Sequence, residues 1–196
     1  MHLHGSLTSP YVRRVRIFAE RLGLPMEMGD AATEAGQAAL RAASPLWRVP
    51  TLVFSDGTVI WDSQAILVSL VRRHGWGPFR AVTDADHESN LVLAVNGALD
   101  SAVNVFYLKK EGVDVAAVPY LVKQQARVDA ALGWVEAQLQ DDAFFDGRPG
   151  YAELALYTTL GWMLFRNTWP VAAHPKLVAF HARWDTEPGW AATAPR

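Results

Sequence analysis

The apolar positions change period along the chain. The first third mixes short β-branched runs with helical spacing, and the remainder is helical. Residues 1–5 read as a short strand ending at Gly5. Ser9 suits a helix N-cap, and Pro10 then takes the first helical position, where its missing N–H costs nothing. Val12, Val15, Phe18, Ala19 and Leu22 recur at helical spacing until Gly23 and Pro25 stop the helix. Residues 25–29 predict a brief strand. Residues 33–43 are alanine-rich with one glycine and predict a weak, irregular helix. Residues 50–54 and 58–61 are β-branched and aromatic runs around the hairpin signal Ser55-Asp56-Gly57. Asp62 or Ser63 then caps a helix to about Arg73, with Ala65, Ile66, Leu67, Leu70 and Val71 on its apolar face.

The resulting order, β-α-β-α-β-β-α, is a parallel βαβ unit followed by an antiparallel hairpin, the pattern of a thioredoxin-like α/β domain. We take it as residues 1–76. Two glycines and a proline mark 77–83, within HGWGPFRAVT, as the linker. Residues 84–196 predict an all-α domain. Its first helix spans 84–110, acidic at its start and ending in Lys109-Lys110, as the helix macrodipole favours. A second spans 115–140, with Val128, Leu132, Val135 and Leu139 on one face. Residues 152–168 are apolar nearly all round and predict the buried central helix. Residues 175–184 form the last.

Composition narrows the function classes. Across 196 residues, 51% are hydrophobic and 19% charged, the balance of a globular chain. The net charge of −2 provides no general field for nucleic acid or an anionic membrane. There is no cysteine, which removes a disulfide scaffold, a thiolate zinc site and a cysteine nucleophile. The N-terminus lacks the apolar core of a signal peptide. No apolar run approaches the roughly 18 residues that span a bilayer. The expectation is a cytoplasmic protein that binds neither nucleic acid nor membrane.

Three segments carry candidate chemistry. At Thr8-Ser9-Pro10-Tyr11, a hydroxyl sits at a helix N-terminus. A hydroxyl donor and the partial positive charge there both favour an anion such as a thiolate. The plain alternative is that Ser9 is an N-cap and nothing more. Val49-Pro50 precedes a strand, where a proline is ordinarily just a strand-start residue. At Asp62-Ser63, a plain cap competes with a ligand site. There the Ser63 hydroxyl and N–H face a carboxylate while Asp62 faces an ammonium, and Gln64 offers an amide.

Together, TSPYVRRVRI, SPLWRVPTLV and WDSQAI resemble the N-terminal domain of the cytosolic glutathione S-transferase superfamily, and the helices from 84 onward resemble its C-terminal domain. Bacterial members with serine in the SPF or SPY segment are the nearest in pattern. The resemblance implies a homodimer that binds glutathione as co-substrate, needs no metal, and conjugates or uses it with a small apolar electrophile or a peroxide. Ser9 or Thr8 would activate the thiol. A cis Val49-Pro50 bond would turn the backbone of Val49 toward the cysteinyl unit. Asp62 and Ser63 would hold the γ-glutamyl end, and Arg48 would reach the glycyl carboxylate.

Two departures stand out. Trp47 replaces a small, flexible residue, either narrowing the glycyl end or forming its wall. The usual Ser or Thr capping box of the helical domain is here Gly150-Tyr151-Ala152-Glu153, which lacks a side-chain acceptor and predicts a weaker cap. Both leave open a non-catalytic binding or interaction module. The His2-x-His4 pair has no third ligand at matching spacing, so a structural role is expected. Arg13, Arg14 and Arg16 read as a solvated face. Of eight tryptophans, most in the helical half are expected in the core. Phe106, Tyr107 and Trp162, with Tyr11, are the candidate electrophile pocket.

Overall fold

The computed structural model describes residues 1–196. The chain divides into two compact units, Met1–Phe79 with Asp185–Arg196, and Arg80–Trp184. Strands β1 (His2–Gly5), β2 (Glu27–Asp30), β3 (Thr51–Val53) and β4 (Val59–Trp61) form one sheet in the order β2-β1-β3-β4. β1 and β2 are parallel, and β3 runs antiparallel to both β1 and β4. Helix α1 (Pro10–Arg21) makes the crossover between β1 and β2, and α3 (Ser63–His74) follows β4. Strand alternation sends Leu3 and its cross-strand partner Leu52 into a core with Val12, Val15, Phe18, Ile66 and Leu70, all fully buried. Each such side chain contributes roughly 1.5–3 kcal/mol of transfer free energy. Phe79 completes this core by stacking on Phe18, with ring centroids 4.4 Å apart.

Helix α2 (Glu34–Ala43) is regular rather than irregular as its composition suggests. Thr33 caps it through a 3.0 Å hydrogen bond from the Gly36 N–H. It buries mainly Leu40.

The second unit holds α4 (Ala85–Lys110), α5 (Pro119–Gln138), α6 (Tyr151–Arg166) and α7 (Pro175–Trp184). Between α4 and α5, the Ser101 hydroxyl donates to Gln124 Oε1 at 2.7 Å, where Arg127 also donates at 2.9 Å. Residues from Tyr151 to Met163 are all buried, so α6 is the central helix its composition predicts. Contrary to expectation, α4 is long and apolar enough by length and composition to cross a membrane, with a mean hydropathy of 1.5 over 18 residues. Here Leu91, Val95, Ala98 and Leu99 are fully buried on the side that packs against α5 and α6.

Two expectations fail in the last dozen residues. Asp185–Arg196 belongs with the first unit, not with the helices. It lies on α1 and covers Arg13; Arg14 is buried as well, so the two are not a solvated face. Arg13 donates from Nη2 to the Trp190 carbonyl at 3.0 Å and from Nε to Thr193 Oγ1 at 3.1 Å. Trp190 is buried with it. Of the other tryptophans, Trp162 and Trp184 are core, while Trp134 is 40% exposed.

Glycine at the start of α6 also has a physical reason. A Cβ on Gly150 would lie 2.6 Å from Arg80 Nη2 and 3.0 Å from Glu88 Oε1. Arg80 and Glu88 form a largely buried 3.0 Å ion pair, and the Arg80 guanidinium sits 3.9 Å from the Phe145 ring centroid. As the sequence predicts, no side chain at the N-cap accepts a first-turn N–H of α6, and Glu153 supplies the reciprocal half of the box. Its carboxylate takes the Gly150 N–H at 2.7 Å and the Phe144 N–H at 3.1 Å.

Candidate functional site

Strand register gathers the three candidate segments. His4 lies opposite Thr51, and Thr51 opposite Trp61. The loop after β1, the residues before β3 and those after β4 therefore leave the sheet at one end. Thr8-Ser9, Arg48-Val49-Pro50 and Asp62-Ser63 all lie there. Gly5 makes the first turn possible, since a Cβ on it would lie 2.7 Å from both Val12 methyls.

Ser9 is the N-cap of α1, its Oγ accepting the Val12 N–H at 3.3 Å. A serine hydroxyl has two acceptor sites and one proton, so capping leaves the O–H free to donate. Ser9 is half-buried, within reach of solvent. Thr8 is engaged differently, its Oγ1 lying 3.3 Å from Ser6 Oγ. Tyr11, one turn on, lies 5.1 Å from the Arg14 guanidinium.

The Val49–Pro50 peptide bond is cis. Neither the N–H nor the C=O of Val49 hydrogen-bonds within the chain. Beneath it, buried Thr51 donates its hydroxyl to the Arg48 carbonyl at 3.0 Å and so fixes the preceding turn. Thr51 reads in sequence only as a β-branched strand residue. Arg48 is exposed and has no carboxylate partner. Trp47 is 63% exposed, with the Arg41 guanidinium 5.4 Å from its ring centroid.

Asp62 caps α3 with one oxygen. Its Oδ1 accepts the Gln64 N–H at 2.8 Å and the Ala65 N–H at 3.1 Å, leaving Oδ2 without a partner in the chain. Ser63 is buried at the first turn of the helix, where N–H groups carry partial positive charge. Both Trp47 (φ 52°) and Asp62 (φ 76°) have left-handed backbone, as do two further non-glycine residues, Asp141 and Asn167. Such conformations cost of order 1–3 kcal/mol each and concentrate at ligand sites. Aspartate and asparagine tolerate this backbone better than most residues, but nothing at Trp47 signals it.

In the second unit, Phe106 packs edge-on against both Trp162, 5.6 Å between centroids, and Tyr107, 5.2 Å. Tyr107 is 54% exposed and Trp162 buried. These three candidates form one aromatic cluster. Tyr11 belongs to the first unit.

His2 and His4 share one face of β1 in an edge contact at 4.6 Å. Burial, and then the neighbouring His2 ring, pushes His4 below the usual histidine range. No group of three or more histidine, aspartate or glutamate side chains is placed to hold a metal.

Comparison with known proteins gives a consistent result. The sequence family "Glutathione S-transferase, N-terminal domain" matches residues 8–73, and "Glutathione S-transferase, C-terminal domain" matches 112–183. An uncharacterized GST-like protein of Escherichia coli, YibF, is 22% identical over 173 residues, covering 87% of this chain and 85% of its own. A glutathione S-transferase of Methylobacterium radiotolerans, solved with glutathione sulfonate, superposes with a TM-score of 0.84 at 24% identity, covering 99% of this chain and 94% of its own. One from Methylobacillus flagellatus, solved with glutathione bound, gives 0.85 at 22% identity, covering 100% and 99%. A Pseudomonas fluorescens family member with bound glutathione gives 0.80 at 25%, covering 100% and 98%.

Proposed function

Because the chain belongs to the glutathione S-transferase superfamily, we propose that it binds glutathione at the sheet end formed by Ser9, Val49 and Asp62-Ser63, and transfers or uses the thiol. The observation that carries this reading is the register that aligns the three segments. Each segment offers the chemistry that one part of a γ-glutamyl tripeptide needs. The unpaired backbone of Val49 matches the cysteinyl amide, like an added strand. Asp62 Oδ2 meets the α-ammonium, and the Ser63 hydroxyl with its helix N-terminus meets the α-carboxylate. Arg48 reaches the glycyl carboxylate. Glutathione is the co-substrate, and no metal is needed.

The Ser9 proton completes the chemistry. A free thiol has a pKa near 8.5, so little is thiolate at neutral pH. A hydroxyl donor aimed at the sulfur, beside a helix N-terminus, favours the anion. Thr8 shares its hydroxyl with Ser6, so Ser9 is the stronger candidate. The thiolate then attacks the electrophilic carbon of an apolar substrate and displaces its leaving group, or attacks a peroxide oxygen and breaks the O–O bond. Ser9→Ala tests this step. Turnover with an activated aryl halide should fall about a hundredfold, the usual loss of one preorganised donor, with glutathione binding retained. Unchanged turnover would remove Ser9 from the mechanism.

A second reading, a non-catalytic binding module, is favoured by Trp47, whose bulk lies beside Arg48 in the site. No turnover in the parent across electrophiles and peroxides, with binding intact, would select it. A cytoplasmic homodimer is part of the leading reading. Leu93 on α4 is 65% exposed and suits a covered face, and sedimentation across a concentration series tests it.

A further inference from the structure

His2 and His4 are alternate residues of β1, so the pleat puts both side chains on one face of the sheet. Their partners on the parallel strand β2 are Glu27 and Gly29. A Cβ on Gly29 would lie 2.5 Å from His2 Nε2 and 3.2 Å from His4 Nδ1. The two ring nitrogens therefore converge on the space that a side chain at this position would fill. Gly29 does not have the positive φ that would itself call for glycine.

Each nitrogen is prepared for a ligand in its own way. His4 is 6% exposed, and its Nδ1 is enclosed without a hydrogen-bond partner. A buried imidazole nitrogen needs a donor, an acceptor or a metal, and the chain provides neither of the first two here. Burial, and then the His2 ring, hold His4 below the usual histidine range, which keeps the ring neutral. His2 is oriented from its other side. Its Nδ1 lies 3.9 Å from Glu27 Oε2, and a carboxylate on one ring nitrogen leaves the other as the basic, ligating one. The His2 side chain is 40% exposed, which opens the space to water. Two imidazoles with open positions suit a late transition metal rather than a closed structural zinc site.

We propose that His2 Nε2 and His4 Nδ1 together bind a divalent late transition metal over Gly29, Cu²⁺ most tightly, with water in the remaining positions. Small rotations of the two rings bring both nitrogens to a ligand distance of about 2.0–2.1 Å. The site shares no residue with the sheet end proposed for glutathione, and it does not depend on that reading.

Titration of the whole chain with Cu²⁺, in a non-chelating buffer free of glutathione and followed by electron paramagnetic resonance, tests the proposal. One tightly bound Cu²⁺ per chain is expected, coupled to two imidazole nitrogens. His2→Ala and His4→Phe should each weaken it about tenfold or more. Gly29→Ala is the sharper variant, because it keeps both histidines and fills the space between strand and metal. Only the far end of the flexible His2 side chain has to move to admit the methyl, so the fold should hold while Cu²⁺ affinity again falls about tenfold. Unfolding midpoints without metal show which variants fold, and where His4→Phe does not, His2→Ala and Gly29→Ala decide. Parent-like Cu²⁺ affinity in any folded variant of the three would overturn the proposal. So would coupling to a single nitrogen, or no tight Cu²⁺ in the parent.

Discussion

Ser9 uses a lone pair to cap α1 and keeps a proton to give, so structural and chemical roles coincide at one atom. Such coincidence makes the segment legible. A cap, a first-turn proline and helical periodicity are local features, and Thr8-Ser9-Pro10 reads correctly as a helix start from sequence. The left-handed backbone at Trp47 has no such signature, because a bulky residue disfavours it, whereas aspartate at Asp62 tolerates it without announcing it. Gly150 shows the same limit. A glycine in a capping box predicts a poor cap, yet the group that excludes a side chain there is Arg80, seventy residues earlier in sequence. The consensus-like change Gly150→Ser should therefore destabilise the protein by about 1–3 kcal/mol through overpacking, although serine is the better N-cap. A denaturant midpoint above that of the parent would show that the Arg80–Glu88 pair yields at little cost.

At the scale of elements, Glu153 joins α6 to the loop before it. Removing its carboxylate leaves the buried N–H groups of Gly150 and Phe144 without acceptors, so Glu153→Ala should cost about 2–5 kcal/mol. Burial raises the Glu153 pKa, while the N–H groups of Gly150, Glu153 and Phe144 and the charge of Arg80 pull it down. The native state thus holds this proton to higher pH than the unfolded chain. The contribution is full below the unfolded value of 4.5 and falls as pH rises through the native value. A Glu153→Gln variant has no such titration. The gap in unfolding free energy between parent and variant should be widest near pH 4.5 and narrow toward neutrality. A gap that widens with pH would mean that the carboxylate is the preferred native form.

The element order of the first unit was legible because strand and helix periods alternate cleanly between Gly and Pro stops. Most helix boundaries moved by one or two residues, as caps such as Asp84 and Asp62 sit just outside the helices they start, but α5 begins at Pro119, four residues later than predicted, after a separate turn at Val115–Ala117. The Arg13 position was misread, since what covers it lies some 180 residues away in the chain.

For the molecule as a whole, the last residues are part of the first unit's fold. Arg13→Ala would remove a buried charge bonded to Trp190 and Thr193, and should make the segment from Asp185 onward the first site of limited proteolysis. Cleavage that stays confined to loops of the helical unit would contradict that role. The family assignment rests on both halves of the chain, whereas the use of the fold rests on the sheet end.

The measurement that bears most directly on that use is thermal unfolding with and without millimolar glutathione. At a hundred times the Kd, a ligand that binds only the native state stabilises it by about 2.7 kcal/mol, several degrees for a chain of this size. The account predicts an upward shift of that order in the parent and none when Asp62 and Ser63 are both alanine. No shift in the parent, or an equal shift in the variant, would contradict a glutathione site at the end of the sheet.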